Sequence, residues 1–278
     1  MHVSRVSFDV MFTRMEVLLF DEKTTVDKVF NEIERETFRL EQMLNRFDEL
    51  SELSRLNSAA GGGWTEVSGE LTALLLQSRE LKERCLGYFD ITQSAASWIA
   101  IQFDKKKGVC IEKESINFDL GGLAKGYALD KIRAILSKHG LKNAFVSFGE
   151  SSILAWGTHP AGNHWPLGAK DFFLPEKVVH PFKVRNSVLS GSSTMQRRNG
   201  ELLAHLINPH TGNAVNEHRV SSVVTADGIE GEALATALAV AETEEERKQI
   251  ARNFPEAEAC VWIYTGKEIT HKTVYNGR

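Results

Sequence analysis

Cysteine is scarce. The 278 residues hold three, Cys85, Cys110 and Cys260, far apart and with no second Cys or His at metal-ligand spacing. That argues against a disulfide framework and a structural zinc, and for isolated small thiols in a reducing compartment. Long apolar runs are also missing: none approaches the roughly 20 residues needed to cross a bilayer. The first twenty residues alternate and carry Asp9, Arg14 and Glu16, so no uninterrupted signal-peptide core is visible. The chain as given therefore reads as cytoplasmic with no intrinsic membrane segment, periplasmic or exported only if a leader has been removed. Charge of one sign is not in excess, since 33 Lys+Arg oppose 37 Asp+Glu for a net −4. A broad nucleic-acid or anionic-membrane surface is not expected, although one local phosphate site is not excluded.

With 42% hydrophobic and 25% charged residues the composition is that of a globular protein. A chain this long buries roughly three-quarters of its unfolded surface without staples. No repeat, low-complexity tract or clear linker divides it. Residues 6–20 read as a strand followed by a turn at Asp21–Lys23. From Thr24, apolar residues at spacings of three and four, through Ile33, Leu40 and Leu44 to Phe47, predict a long amphipathic helix. Gly61–Gly63 breaks the chain before a second helix at 68–86, so residues 30–103 look mainly helical. The β-branched stretch Val109–Asp119 then leads through Gly121-Gly122 into a helix at 123–138, closed by His139-Gly140. Short strands are expected at 144–148, 153–156, 182–184, 188–190, 203–207 and 220–225, helices at 229–241 and 243–253, and strands at 258–264 and 268–274. The expected fold class is α+β: one domain over 1–278, a mixed or antiparallel sheet core, and a helical N-terminal lobe at about 24–103.

Three constellations can carry chemistry. In Phe118-Asp-Leu-Gly-Gly-Leu-Ala-Lys-Gly-Tyr-Ala-Leu-Asp130, two glycines allow close backbone approach where a helix starts with unpaired N–H groups, which suits a phosphate. Lys125 adds a mobile charge, and Asp119 an acceptor for a ribose, ring or metal. An ordinary strand-to-helix turn explains the same residues, because the pattern is neither of the common nucleotide-binding glycine motifs. In Ala204-His-Leu-Ile-Asn-Pro-His-Thr-Gly212, His205 is either a general base working near neutral pH or a hydrogen-bonded structural histidine at a strand end. His210, in the turn, reads as solvated. In Gly231-Glu-Ala-Leu-Ala-Thr236, Glu232 and Thr236 lie one turn apart on the same helix face. They can share a hard cation such as Mg²⁺, completed by backbone carbonyls, waters or substrate phosphate, or Glu232 simply complements the helix dipole.

The order of these motifs resembles the ApbE-type family of FAD:protein FMN transferases, whose hallmarks look like D-L-G-G-x-A-K-G-Y-A-x-D, then H-x-I-D/N-P-x-T-G, then D-A-L-A-T-A. Met11-Phe-Thr13, Ser51-Glu-Leu-Ser-Arg-Leu-Asn57, Phe89-Asp-Ile-Thr92 and Ser190-Gly191 extend the similarity over nearly the whole chain. The resemblance implies an ApbE-like, T-fold-related architecture. It also implies Mg²⁺-dependent transfer of FMN from FAD to a threonine hydroxyl of an acceptor flavoprotein, a redox-pump subunit or a flavin-domain protein, with AMP leaving. By similarity FAD is held by Met11, Phe47, Thr92, Gln93, Ser94, Asp119, Lys125 and the backbone at Leu206. Mg²⁺ is held by the carbonyl of Gly122 and the side chains of Glu232 and Thr236, and His205 and Lys125 are the catalytic candidates.

The chain departs from that pattern in places. Glu232 stands where an Asp is usual, Phe47 where a Tyr is common, Phe148-Gly-Glu-Ser-Ser152 where Gly-Gly-Asn/Asp is more usual, and Ser192-Ser-Thr-Met195 where acidic and aromatic residues follow Ser-Gly. The alternatives are hydrolysis of FAD to FMN and AMP, or a degenerate FAD-binding protein.

Overall fold

Strand alternation near the N-terminus builds a hairpin rather than the single strand expected at 6–20. In the computed structural model, which describes residues 3–20, 23–94 and 97–276, β1 (Ser4–Val10) and β2 (Thr13–Leu19) pair antiparallel with Val10 opposite Thr13. Met11 and Phe12 form the two-residue turn, both left-handed at φ 51° and 59°. Nothing like Asn-Gly announced it, which is why the pattern read as continuous. The turn expected at Asp21–Lys23 lies largely outside the described residues, and Lys23 already opens α1 (Lys23–Leu44). Then come α2 (Glu52–Ser58), β3 (Trp64–Thr65), α3 (Gly69–Arg84), a 3-10 turn at Ser97–Ala100, β4 (Ile101–Asp104) and β5 (Gly108–Ile111). The helical lobe thus also contributes β3 and most of β4 to a small sheet, ordered β3-β5-β4, whose central strand lies beyond residue 103.

The strand expected over Val109–Asp119 stops at Ile111. Beyond it the chain is held by a side chain instead of a strand: Asn57 accepts from the Phe118 N–H at 2.8 Å and donates to the Phe118 carbonyl at 2.9 Å. Next are α4 (Ala124–Lys138), β6 (Ala144–Phe148), β7 (Ser152–Trp156), β8 (Trp165–Lys170) and β9 (Val178–Val184). They are followed by β10 (Ser187–Ser193), β11 (Met195–Arg198), β12 (Glu201–Ala204) and β13 (His218–Thr225). The chain closes with α5 (Gly228–Val240), α6 (Glu244–Arg252), β14 (Glu258–Thr265) and β15 (Glu268–Asn276). β8 escaped the sequence pattern because Pro166 and Gly168 interrupt it, and β8 pairs only with β9, where a proline is tolerated.

The α+β class is borne out, and the main sheet is antiparallel throughout, in the order β1-β2-β6-β7-β10-β13-β14-β15. One face carries Met15, Val17, Val146, Leu154, Val188 and Val223 against the helices. The β8–β9 hairpin covers the other, around Trp262, Phe182 and Leu189. α5 lies against β10, β13 and α4 and is buried on nearly all sides, as its apolar, alanine-rich sequence requires. Its ends are tied by charge. Asp130 of α4 accepts from the N–H groups of Gly228 (2.8 Å) and Ile229 (3.0 Å). At the other end Arg219 and Arg247 donate to the Ala241 carbonyl at 2.8 and 2.6 Å.

Candidate active site

The double-glycine turn is fixed from three directions. Asn57 grips Phe118 from α2, and the Asp119 N–H donates to the Ile91 carbonyl at 2.7 Å. The Asp119 carboxylate accepts from the Gly121 N–H at 2.9 Å, while Gln93 Nε2 (3.3 Å) and Arg46 Nη2 (3.4 Å) approach its other oxygen. The segments around Asn57, Ile91 and Asp119, distant in sequence, therefore meet at one bend. α4 starts there with no side-chain cap and no acidic residue in its first turn. The Ala124 N–H donates to the Leu120 carbonyl at 2.9 Å, and the N–H groups that follow it, with the helix dipole, are left for an anion.

Glycine also sets how closely α4 and α5 approach. A Cβ on Gly126 would lie 2.3 Å from the Gly228 carbonyl oxygen and 2.6 Å from Glu232 Cγ. The longer side chain of Glu232 thus occupies space that only glycine leaves. Glu232 is buried, and its Oε1 accepts from the hydroxyls of Ser152 and Ser190, the latter at 3.2 Å. Burial raises its pKa above the ordinary carboxylate value, opposed by the Lys125 charge and the two serines. Lys125 Nζ donates to Ser151 Oγ at 2.5 Å. Two consecutive serines, Ser151 just before β7 and Ser152 at its start, therefore hold the ammonium and the carboxylate, and they occupy the stretch Phe148–Ser152 where the chain departs from the expected motif. Thr236, one turn after Glu232, faces the same cleft.

The third wall is the loop after β12. The strand expected to run to Ile207 ends at Ala204, and His205 lies just past it, its N–H donating to the Thr194 carbonyl at 3.1 Å. Desolvation lowers the pKa of the His205 ring below 6.5, outweighing a hydrogen bond with the Thr194 backbone that raises it, which favours the neutral ring. The Leu206 carbonyl accepts from Val215 at 2.9 Å. His210 is not merely solvated: Nε2 meets the Leu86 carbonyl at 3.0 Å and the ring packs edge-on to Tyr88 at 4.6 Å. It pins the loop to the end of α3.

These walls enclose a cleft of about 440 Å³ in which Gln93, Asp119, Gly122, Lys125, His205, Leu206, Glu232 and Thr236 face one space. A second cavity of about 140 Å³ shares Asp119, Gly121 and Lys125 with it and adds Met11, Phe12, Glu41, Arg46 and Phe47. Phe47 is 70% exposed, meets Phe12 edge-on at 5.9 Å, and has the Arg46 guanidinium over its ring at 4.6 Å. Met11 is anchored by its N–H to Glu41 Oε1 at 2.7 Å. Thr92 and Ser94 do not line either cavity. The Thr92 hydroxyl donates within the protein, to Asp90 Oδ1 and the Ser94 carbonyl, shaping the turn that carries Gln93. Sequence reasoning missed Ser151, Ser152, Ser190 and Asp130 as organisers of the site. The only signal for Ser151 and Ser152 was their place in a divergent motif, and for Ser190 its place in the matching Ser190-Gly191 pair.

The profile of the ApbE family matches this chain over residues 11–107 and 93–261. The chain belongs to the ApbE family. Within it, the FAD:protein FMN transferase of Chlamydia muridarum is 25% identical over 279 residues, covering 89% of this chain and 85% of that one. The crystal structure of the ApbE protein from Thermotoga maritima superposes with a TM-score of 0.84 at 22% identity, covering 97% of each chain. The apo flavinyl transferase ApbE of Pseudomonas stutzeri gives 0.82 at 18% identity, covering 98% of this chain and 94% of that one. At these identities the structural likeness speaks for the ApbE fold. No helix among the described residues is long and apolar enough to cross a membrane.

Proposed function

We propose that this ApbE-family protein is an FAD:protein FMN transferase, moving FMN from FAD to a threonine hydroxyl of an acceptor flavoprotein and releasing AMP. The observation that carries this reading is the shared cleft: Lys125 and Glu232, held by neighbouring serines, stand with the uncapped start of α4 and the His205 ring around one space. An anion, a cation and a base each have a place there. The diphosphate sits on the Gly121-Gly122 bend beside Lys125, and the ring system extends toward Met11 and Phe47.

In the transfer step the acceptor oxygen bonds to the FMN phosphorus and the bond from that phosphorus to the bridging oxygen breaks. AMP leaves with that oxygen, and the threonine proton passes to Nδ1 or Nε2 of neutral His205. Lys125 and the α4 N–H groups offset charge on the phosphate oxygens.

Mg²⁺ fits the donor chemistry. Glu232 is a buried carboxylate whose ionised form lacks a full counter-charge, Thr236 adds a hydroxyl and Gly122 a carbonyl, all hard oxygens. Among the described residues no group of three or more His, Cys, Asp or Glu surrounds the point, so phosphate oxygens and water complete the coordination. When bound, the ion neutralises the diphosphate. The span 1–278 works as one unit, and its free thiols accord with the reducing cytoplasm.

The test is mass spectrometry of a candidate acceptor flavoprotein after incubation with the protein, FAD and Mg²⁺. A gain of one FMN on threonine with AMP released supports the reading. Free FMN alone makes the protein a hydrolase, and FAD bound without AMP makes it a binding protein.

A further inference from the structure

A third cavity, about 710 Å³, lies on the opposite face of the main sheet, under the β8–β9 hairpin. It shares Gly191, Ser192 and Ser193 with the reaction cleft, so the end of β10 is the partition between the two. That partition has an open edge. β7 pairs with β10 only from Ser187 to Ser190, whereas β10 continues alongside β13 to Ser193. The Gly191 N–H points to the β7 side, where the Ser151 carbonyl takes it at 2.7 Å. Two residues further along a strand the backbone groups point the same way. The N–H and carbonyl of Ser193 therefore face a side where, among the described residues, no strand lies.

We infer that this edge is where the acceptor protein docks, by adding an extended segment to the end of β10 at Ser193, beyond the Gly191 N–H that Ser151 already takes. The inference rests on the transferase reading, which requires a macromolecular hydroxyl to enter the cleft. In an added strand, successive side chains point to opposite faces of the sheet. The hydroxyl residue then faces the cleft, and the residues before and after it face the groove. Leu167, Ile153, Val220 and Phe145 give the groove an apolar lining. Its carboxylates already have partners: Glu16 pairs with Arg5, Glu150 with Lys170 across the groove mouth, and Asp171 with Lys177 and the Tyr264 hydroxyl. The groove therefore selects uncharged neighbours of the target residue.

The probe is a library of twelve-residue peptides, each with one central threonine, incubated with FAD and Mg²⁺ and read by mass spectrometry for added FMN. Slow AMP release onto water, without peptide, is measured in parallel. Labelled peptides are expected to carry apolar or small uncharged residues on both sides of the threonine. N-methylation of their backbone is expected to lower labelling at alternate positions only. Leu167→Arg and Val220→Lys, tested separately, are each expected to cut labelling by about tenfold or more, the equivalent of one lost anchor, with AMP release onto water unchanged. Labelling at the wild-type level in both variants overturns the inference. So does AMP release by the wild type with no library member labelled: a whole acceptor flavoprotein labelled in the same assay then keeps the transferase reading, and free FMN alone removes both. Absence of AMP release removes the transferase reading, and this inference with it.

Discussion

The inner wall and the rim of the cleft are built on opposite principles. At the inner wall Glu232 is 6% exposed, fixed by two hydroxyls and packed under a glycine that admits no Cβ. At the rim Phe12 and Phe47 are 80% and 70% exposed, touch each other edge-on and ride on a hairpin turn whose two residues are both left-handed. The wall fixes charges whose positions must not vary, because the strength of a phosphate or cation contact falls steeply with misplacement. The rim offers apolar area to a flat ring, which tolerates displacement. Strain is affordable at the rim because the turn is held from below by Glu41 on the Met11 N–H.

By that division, substitutions at the wall act on rate and stability, and those at the rim on affinity. The largest effect is expected from Glu232→Ala, which removes the buried carboxylate and lowers Mg²⁺-dependent AMP release by roughly 100-fold to 1,000-fold with FAD still bound. A rate within a factor of a few of wild type breaks the comparison. Gly126→Val comes next. Its Cβ meets the Gly228 carbonyl at 2.3 Å, so α4 and α5 must separate, at a cost of about 2–3 kcal/mol in denaturant unfolding. An unchanged unfolding midpoint would show that the helix contact is looser than the geometry implies.

Glu232 also gives a pH signature. Its folded pKa is raised above 4.5 by burial. Its favourable contribution to stability is therefore complete below pH 4.5 and is lost as pH rises through the folded value. Without metal at pH 7.5, Glu232→Gln is expected to melt no lower than wild type, the difference shrinking toward pH 4.5. Mg²⁺ should raise the melting temperature of wild type alone. A stabilising Mg²⁺ effect of equal size in the variant would move the cation elsewhere. The smallest effect belongs to the rim: Phe47→Ala is expected to weaken FAD binding by roughly threefold to tenfold, read by quenching of flavin fluorescence, with turnover at saturating FAD unchanged.

The hairpin-covered face carries a separate titration. His218 is enclosed by Phe172, Phe173 and Tyr264. Desolvation, aided by Arg197, lowers its pKa from 6.5 to about 4. The neutral ring belongs to the folded state, so the stability it contributes is full above pH 6.5 and drains away as pH falls toward 4. His218→Gln should flatten the acid limb of the melting curve across that window; an unaltered limb assigns the acid sensitivity to other groups.

Much of the architecture was legible because it rests on local signals. The periods of α3, α4 and α5 and the alternation of β6, β14 and β15 fall within a residue or two of the patterns they follow, and α1 ends three residues before Phe47, the last residue of its pattern. What was not legible depended on partners remote in the chain. The strand expected at 109–119 stops at Ile111, and near its far end Asn57, sixty-one residues before Phe118, supplies the hydrogen bonds a strand would have made. His210 looked solvated because its contacts, Leu86 and Tyr88, lie over a hundred residues earlier. Thr92 looked like a ligand contact, yet its hydroxyl is directed into the turn that it shapes.

Composition and periodicity alone determined the α+β class, the amphipathic faces and the three motif segments, because backbone propensity and hydrophobic spacing act over a few residues. Only the folded chain decided that two adjacent serines hold Lys125 and Glu232, one each, that Gly126 makes room for a longer carboxylate, and that β10 ends with an unpaired edge between two cavities. Those facts depend on which distant segments come within hydrogen-bond reach, and a linear pattern carries no distance.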